Sequence, residues 1–167
     1  MEYTAMTSIR PLLARDREPL LVLVRAQDNF NAQEQAVAME VIDEALSPDK
    51  NDYRVLVAVS PGPAGEQERL AGFLCYGEIP LTDRRYDLYW IAVDPGLARA
   101  GVGGLLLAAM EAEIRSQGAA LLYADTSSTP GYLRARRFYE KNGYAALCRL
   151  KDFYRPGDDR IIYGKEL

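Results

Sequence analysis

The chain has 167 residues, 49% of them hydrophobic and 26% charged, which is the length and balance of one globular domain with a buried core. Its formal net charge of −4 argues against nucleic acid as a partner, because phosphate binding needs a basic surface. Histidine is absent, which excludes Ser-His-Asp and Cys-His nucleophilic systems and histidine-containing metal sites. We therefore expect no bound metal.

The first six residues, MEYTAM, contain no basic stretch followed by an apolar core, so no signal peptide is expected. No apolar run reaches the ~20 residues that a membrane span needs. We therefore expect a cytoplasmic protein with no membrane association. The two cysteines, Cys75 and Cys148, lie in apolar segments and are expected to be buried thiols without a disulfide.

The periodicity of apolar residues divides the first half of the chain into five elements. They are a strand at Thr7–Leu12, helices at Pro19–Asp28 and Ala32–Leu46, and strands at Tyr53–Val59 and Leu70–Tyr76. We expect the last two strands to form a hairpin, because a Pro- and Gly-rich loop separates them. A polar segment follows at Gly77–Arg85 and is predicted to be a loop.

The second half of the chain alternates strands with helices. It is predicted to contain strands at Leu88–Val93, Ala120–Ala124, Tyr144–Leu150 and Ile161–Lys165, and helices at Val102–Ser116 and Tyr132–Asn142. Leu88–Val93 is apolar on both faces, which is typical of a central strand, and Phe153–Arg160 is predicted to be turn-rich. This order predicts one mixed α/β domain, residues 1–167, with a central sheet and flanking helices.

A glycine-rich turn, AGVGG at Ala100–Gly104, follows the central strand and opens a helix. Glycines let the backbone approach a bulky ligand, and the N–H groups of a first helical turn favour a pyrophosphate. Arg99 adds a cation beside them. A dinucleotide-binding fingerprint would need a third glycine where Leu106 stands, and the Lys-Ser/Thr of a Walker A loop is absent. A purely structural turn is the other interpretation.

The segment around this turn resembles a known family. Val93–Pro95 followed by Ala98–Gly103, ARAGVG, is similar to the acetyl-CoA-binding motif of the GNAT superfamily of N-acetyltransferases, Arg/Gln-x-x-Gly-x-Gly/Ala. The two glycines match at Gly101 and Gly103. The first position departs from the motif, since it is Ala98 with a basic residue one position later. That departure affects a side-chain contact to phosphate more than the backbone cradle.

A second motif is similar to the same family. Phe138–Tyr144, FYEKNGY, resembles the GNAT helix signature Phe/Leu-Tyr-Glu-Lys-x-Gly-Phe/Tyr. Ala135 also fits that pattern, whereas Tyr132 stands where the family often has Asn. The resemblance follows the order of elements along nearly the whole chain and is specific from about residue 88 to residue 144.

The resemblance implies a GNAT-like fold in which the strands Leu88–Val93 and Ala120–Ala124 splay apart and leave a slot for acetyl-CoA. Backbone groups of the first strand would bind the pantetheine, and an N–H at Ala92 or Val93 would polarise the thioester carbonyl. The implied cofactor-binding residues are Ile91, Ala92, Val93, Arg99, Ala100, Gly101, Val102, Gly103, Gly104 and Tyr132.

The resemblance also implies direct attack of an amine on the thioester. Tyr139 is the candidate general acid, because a phenol with a pKa of ~10 can protonate a leaving thiolate whose conjugate acid has a pKa of ~8.5. Asp125, at the end of the second slot strand, is the candidate base, with Glu78, Asp87 or a water chain as alternatives. Glu78 and Tyr89 are the candidate residues for binding the amine.

An acetyl-CoA-dependent N-acetyltransferase acting on a primary amine is therefore the leading interpretation. The acceptor is expected to be a small molecule or an amino-acid-like amine, because no appended domain is evident, although a peptide amine stays open. The alternative is a catalytically silent domain that binds acyl-CoA as a sensor or scaffold. The sequence does not determine the acceptor, the acyl chain length or the oligomeric state, and it is compatible with a homodimer.

Overall fold

The computed structural model describes residues 7–50, 52–62, 67–98 and 100–167. The chain divides into two compact units, of which the first comprises residues 1–77 with 90–113 and the second residues 78–89 with 114–167. Each unit is held together by its own packing. The single N-acetyltransferase domain expected for residues 1–167 stays a prediction.

Seven strands form one mixed sheet. They are β1 (Ser8–Pro11), β2 (Arg54–Ser60), β3 (Arg69–Glu78), β4 (Arg85–Val93), β5 (Leu121–Ser127), β6 (Ala145–Arg155) and β7 (Asp158–Glu166). Their order in the sheet is β1-β2-β3-β4-β5-β7-β6. β4 and β5 are parallel, whereas β1–β2, β2–β3, β5–β7 and β6–β7 are antiparallel. The mixed α/β plan and the β2–β3 hairpin are as expected from sequence.

The helices flank the sheet as α1 (Arg17–Arg25), α2 (Ala32–Leu46), α3 (Val102–Ser116) and α4 (Leu133–Lys141). α2 and α3 have the predicted boundaries. A capping box starts α2: the Asn31 side chain accepts from the Glu34 N–H, and the Glu34 carboxylate accepts from the Asn31 N–H. Gly118 and Gly143, with φ of 81° and 86°, follow α3 and α4 in the left-handed conformation that commonly ends a helix.

The core of the first unit joins α1 and α2 to β2, β3 and β4. Alternate residues of β2 face this core, as the two-residue period of a strand requires. Trp90 packs against the cluster and meets Phe30 edge to face, with ring centroids 5.4 Å apart. The core cluster consists of Leu20, Leu23, Val24, Ala38, Met39, Ile42, Val55, Val57, Val59, Phe73, Cys75 and Ala92.

In the second unit, α4 packs through aromatic rings. Tyr139 of α4 is buried, and its ring centroid lies 5.5 Å from that of Tyr163 on β7 and 5.7 Å from that of Tyr144. Because Tyr163 is in register with Ala124 of β5, these rings and Ala124 lie on one face of the sheet. α4 is therefore fixed over the β5–β7 part of the sheet.

β4 and β5 pair along only part of their length. The parallel register runs from Arg85 opposite Leu121 to Leu88 opposite Ala124. β4 nevertheless continues to Val93 and β5 to Ser127. The pairing thus ends partway along both strands, as is expected of central strands that diverge.

Cys148 does not lie where it was predicted. It is exposed, whereas Cys75 is buried as expected, and burial raises the pKa of the Cys75 thiol. All 11 residues of β6 are exposed, and in the part of the chain that the structure describes β6 is the last strand of the sheet order, beside β7. The apolar composition around Cys148 therefore does not reflect burial.

The prediction of a turn-rich segment at Phe153–Arg160 is also wrong. β6 runs to Arg155 and β7 begins at Asp158, so the turn itself contains only Pro156 and Gly157. Pairing between the two strands overrides the turn-forming composition of the segment.

The described residues contain no helix long and apolar enough to span a membrane. They also contain no cluster of three or more acidic or cysteine side chains arranged to hold a metal ion.

Candidate active site

The glycine-rich turn leads directly into α3. Gly101 has a φ of 81°, and the Leu105 N–H donates to the Gly101 carbonyl at 3.1 Å. The N–H groups of Val102, Gly103 and Gly104 precede that first helical bond, which makes them donors for an anion. A Cβ built at Gly104 meets no atom within 4 Å. The first turn of α3 is therefore accessible to a ligand.

The loop between β4 and α3 is held in place by Asp94. The Asp94 N–H donates to the Ala71 carbonyl of β3 at 2.9 Å, and its Oδ1 accepts from the Gly96 N–H at 2.8 Å. Ala100, the first residue of the glycine-rich turn, donates its N–H to the Leu97 carbonyl at 3.0 Å. Arg99, the predicted cation, lies outside the described residues.

The backbone of Val93 faces away from β3. Its carbonyl accepts from Gln27 Nε2 at 3.1 Å, whereas the N–H of the same peptide unit, that of Asp94, bonds to β3. The C=O and N–H of a trans peptide point in opposite directions. The N–H and C=O of one strand residue lie on the same side, so the Val93 N–H also points away from β3, as does the backbone of Ile91.

Gly72 allows β3 and β4 to approach closely. A Cβ at Gly72 would lie 2.9 Å from the Ala92 carbonyl oxygen and 3.3 Å from the Val93 Cα. The Ala92 carbonyl therefore faces β3, and so does its N–H. Of the two N–H groups that the resemblance implied for the thioester carbonyl, the geometry favours that of Val93.

Tyr139 is a buried phenol on α4. Burial raises its pKa, and the negative charge of Asp125 and the neighbouring Tyr163 raise it further. The phenol consequently keeps its proton throughout the neutral range and can act as a donor.

Asp125 lies at the centre of a polar cluster. The Tyr154 hydroxyl donates to Asp125 Oδ2 at 3.1 Å, and Arg160 Nε forms an ion pair with the same oxygen at 2.9 Å. The Arg160 guanidinium lies 5.0 Å from the centroid of the Phe153 ring, a cation–π contact. Burial and the charge of Asp125 raise the pKa of Tyr154 to about 12.

Asp87 is a second carboxylate beside this cluster. It is half-buried in β4, in register with Tyr123 of β5. Burial raises its pKa and the charge of Asp125 raises it further, while Arg160 partly offsets both. Sequence reasoning named Asp87 only as an alternative base and missed Tyr154 and Arg160, because their segment was taken for a turn.

The remaining predicted site residues lie at separate places. Glu78 is exposed at the end of β3, where the Ile79 N–H donates to the Arg85 carbonyl at 2.8 Å and closes the loop that follows. Tyr89 is 36% exposed on β4. Tyr132 precedes α4 and is partly exposed. The binding roles expected of Glu78, Tyr89 and Tyr132 stay predictions.

The loop between β5 and α4 is anchored by side chains that sequence reasoning did not single out. Ser127 Oγ donates to Asp158 Oδ1 at 2.5 Å and lies 2.7 Å from Thr129 Oγ1. Arg136 of α4 donates to the carbonyls of Ser127 and Thr129 at 2.7 and 2.9 Å. Every residue has a backbone carbonyl, so the sequence does not show which carbonyls Arg136 will contact. This role of Arg136 was therefore not predicted. The anchoring fixes the start of the helix that carries Tyr139.

Comparison with known proteins places this geometry in a family. A sequence model of the acetyltransferase (GNAT) family matches residues 22–144. Among curated proteins no match was found. The crystal structure of a GNAT-family protein from Desulfovibrio desulfuricans is 39% identical in sequence with a TM-score of 0.87, and the match covers 96% of this chain and 98% of the other.

Two further solved structures have the same fold. The ribosomal-protein-S18-alanine N-acetyltransferase from Escherichia coli is 21% identical with a TM-score of 0.72, over 96% of this chain and 94% of the other. An aminoglycoside 6′-N-acetyltransferase complexed with coenzyme A is 19% identical with a TM-score of 0.71, over 95% and 96%. With a family model covering most of its length and a close structural match over nearly all of it, the chain belongs to the acetyltransferase (GNAT) family and is an acetyltransferase.

Proposed function

We propose that the chain transfers an acetyl group from acetyl-CoA to a primary amine by direct attack. The observation that carries this proposal is the N-terminus of α3. Its first three N–H groups precede the first helical hydrogen bond, and an added Cβ at Gly104 would meet nothing. Such a terminus suits the pyrophosphate of coenzyme A, because backbone donors and the helix dipole both favour an anion.

The residues of β4 and the glycine-rich turn fit acetyl-CoA. Ile91 and Val93 direct backbone groups away from β3, where pantetheine amides would find hydrogen-bonding partners. The Val93 N–H is the proposed donor to the thioester carbonyl as negative charge develops on its oxygen. When bound, acetyl-CoA supplies the carbonyl carbon that the amine attacks and the thiolate that leaves. Ala100–Gly104 would hold the phosphates, and Tyr132 and Arg99 are further proposed contacts.

Tyr139 is the proposed general acid. Its raised pKa keeps the phenol protonated at neutral pH, so a proton is available for the departing sulfur. The proton acceptor for the amine is one of two carboxylates, Asp125 or Asp87. Glu78 and Tyr89 are proposed to contact the acceptor.

The proposed acceptor is a small molecule or an amino-acid-like amine, with a peptide amine as the broader case. A protonated amine is attracted by the net charge of −4 and by the carboxylates around Asp125. A cytoplasmic location and the absence of nucleic-acid, membrane and metal partners stay predictions, as does a homodimer.

Isothermal titration calorimetry with acetyl-CoA tests the cofactor site. We expect wild type to bind and Gly104→Leu to lose binding, because the larger side chain would occupy the space in front of the first helical turn. Ala112→Leu is the matched control, since Ala112 is exposed two turns further along the same helix, and it should bind like wild type.

A release assay for free thiol with a panel of primary amines then tests the reaction. Acetylation of at least one amine is expected. Wild type that binds no acetyl-CoA, or equal binding by Gly104→Leu, would contradict the proposed cofactor site. Binding without thiol release for any amine would contradict the proposed transfer.

A further inference from the structure

The guanidinium of Arg160 is held in place on one face of the sheet. Arg160 of β7 shares this face with Asp125, because its register partner Ser127 is two residues from Asp125 along β5. The buried Nε of Arg160 lies 2.9 Å from Asp125 Oδ2, and its guanidinium carbon lies 5.0 Å from the centroid of the Phe153 ring. The ion pair and the aromatic contact together restrict where the guanidinium can lie.

One edge of this guanidinium is left without a protein partner. A guanidinium can present two N–H groups in parallel, and the pair of Nη atoms forms one such edge. Asp125 contacts Arg160 through Nε. Within the described ranges of the chain, no hydrogen bond or ion pair reaches either Nη atom. The two Nη groups are therefore available as donors to a ligand.

The surface around Arg160 is open to a ligand. The Arg160 side chain is 33% exposed, and the neighbouring Phe153 and Tyr154 rings are exposed as well. A guanidinium stays charged at every physiological pH and only donates hydrogen bonds, so its natural partner is an oxyanion. A carboxylate matches the spacing of the two Nη groups and can accept from both at once.

The charges on this face complement an acceptor that carries both signs. Asp87 of β4 is in register with Tyr123, two residues from Asp125, so Asp87, Asp125 and Arg160 share the face. Two carboxylates attract the ammonium group of an acceptor, whereas Arg160 repels a second cation and attracts an anion. A diamine would place positive charge against the guanidinium, and an uncharged chain would leave its Nη groups unpaired. An ammonium with a carboxylate satisfies both kinds of group.

We propose that Arg160 determines the specificity of the enzyme by binding a carboxylate of the acceptor through its two Nη groups. The acceptor is then a small amine that also carries a carboxylate, as an amino acid does. This inference rests on the proposed acetyl transfer and names the acceptor class for it. Asp125 acts as a positioning residue, since its ion pair with Nε leaves the Nη edge free for the ligand.

The test compares acceptors that differ only in the carboxylate. The acceptors are glycine, L-alanine, L-phenylalanine, β-alanine and 4-aminobutyrate, each beside its carboxamide, with kcat/KM measured by thiol release. We expect Arg160→Gln to lower the ratio of acid to amide by about 10-fold or more for the preferred pair, the typical effect of losing a charged hydrogen-bonding partner. The loss should lie in KM for the acid, with kcat/KM for the amide changing less.

The ratio is insensitive to folding and to amine basicity. Both acceptors of a pair react with the same preparation, so a lower folded fraction cancels, and the lower basicity of the amide is the same for every variant. Arg160→Lys keeps the charge but loses the paired donors, and its ratio should lie between those of wild type and Arg160→Gln. Arg115→Gln, at an exposed arginine near the end of α3, is the matched control and should keep the wild-type ratio.

Two results overturn the inference. An unchanged ratio of acid to amide in Arg160→Gln for every pair would show that Arg160 does not contact an acceptor carboxylate. An equal fall of the ratio in Arg115→Gln and Arg160→Gln would attribute the preference to the net charge of the protein.

A binding measurement separates this inference from the proposed function. In proton–nitrogen NMR spectra of the arginine side chains, the Arg160 Nε signal is identified by its loss in Arg160→Lys. Titration with the five acids, with coenzyme A present, should shift this signal, and the five amides should not. No shift with any acid, in an enzyme that acetylates amines, overturns the inference and leaves the proposed function intact. Failure of wild type to acetylate any amine overturns the proposed function, whereas a shift with the acids would still establish the carboxylate site.

Discussion

At the scale of single residues, Tyr139 combines a packing role with a chemical one. Its ring touches Tyr144 and Tyr163, contacts that phenylalanine would keep. Tyr139→Phe should therefore fold normally and lower kcat by about 100-fold, because only the proton donor is lost, with acetyl-CoA affinity little changed. Thiol-release kinetics measure the first quantity and calorimetry the second.

The neighbouring phenol of Tyr163 provides the control for that experiment. Its hydroxyl donates to Glu140 Oε1 at 3.2 Å, so Tyr163→Phe removes a hydroxyl from the same aromatic cluster without removing the proposed donor. A similar loss of kcat in both variants would attribute the effect to packing and contradict the acid role of Tyr139.

Gly104 allows folding and binding to be separated at one residue. Because a Cβ there meets nothing and glycine is a poor helix former, Gly104→Ala should stabilise the fold by about 0.5–1 kcal/mol. The same methyl group would project into the proposed phosphate site and weaken acetyl-CoA binding. Urea unfolding and calorimetry on one preparation test both effects. A stabilised variant with undiminished affinity for acetyl-CoA would contradict the proposed phosphate site at the start of α3.

At the scale of elements, the approach of β3 to β4 depends on Gly72. A Cβ at this position would lie 2.9 Å from a backbone oxygen, that of Ala92, which cannot rotate away as a side chain can. Gly72→Ala should therefore cost about 1–3 kcal/mol of unfolding free energy and displace the part of β4 that carries Val93.

Displacement of β4 should also weaken acetyl-CoA binding. Chemical denaturation measures the first effect, and calorimetry at a temperature where the variant is folded measures the second. Gly131→Ala is the control for stability, because an added Cβ at Gly131, unlike one at Gly72, meets no atom within 4 Å. Unchanged stability of Gly72→Ala would show that β3 and β4 separate more easily than their backbone contacts indicate.

The periodicity of apolar residues predicted most elements, and particular residues show why those elements begin and end where they do. Asn31 and Glu34 form a capping box that is visible in the sequence, and the start of α2 follows from it. Gly118 and Gly143 mark helix ends for an equally local reason, their left-handed φ. Cys148 was misplaced because burial on a strand depends on its neighbours, and no local pattern identifies an edge strand.

At the scale of the whole molecule, stability is expected to fall in acid. Burial alone would raise the pKa of Asp16, but the hydrogen bonds from Arg10 and the Leu13 N–H outweigh it and lower that pKa. The hydrogen bond from Arg17 likewise lowers the pKa of Asp43. A carboxyl whose folded pKa lies below its unfolded pKa stabilises the fold above the unfolded value and loses that contribution as the pH falls through the folded one.

Asp16→Asn should therefore reduce this pH dependence. Arg10 Nη1 lies 2.8 Å from Asp16 Oδ2, and the Asp16 side chain is only 6% exposed. We therefore expect the variant to lose about 2 kcal/mol of unfolding free energy at pH 7. The loss should be smaller below the ordinary Asp pKa of about 3.9. Urea unfolding at pH 7 and pH 3 provides the comparison, with Asp83→Asn as the exposed control. An equal loss at both pH values would exclude the ionised carboxylate as the stabilising form.

The sequence alone determined the family, the order of elements and the position of the glycine-rich turn, because glycine positions, helix caps and the FYEKNGY segment act through local backbone geometry. Only the tertiary structure decided which groups surround the proposed reacting centre. Arg160 and Tyr154 reach Asp125 from β7 and β6, and Asp87 comes from β4. Those contacts depend on which strands become neighbours and in what register, and register is set by long-range packing across the sheet.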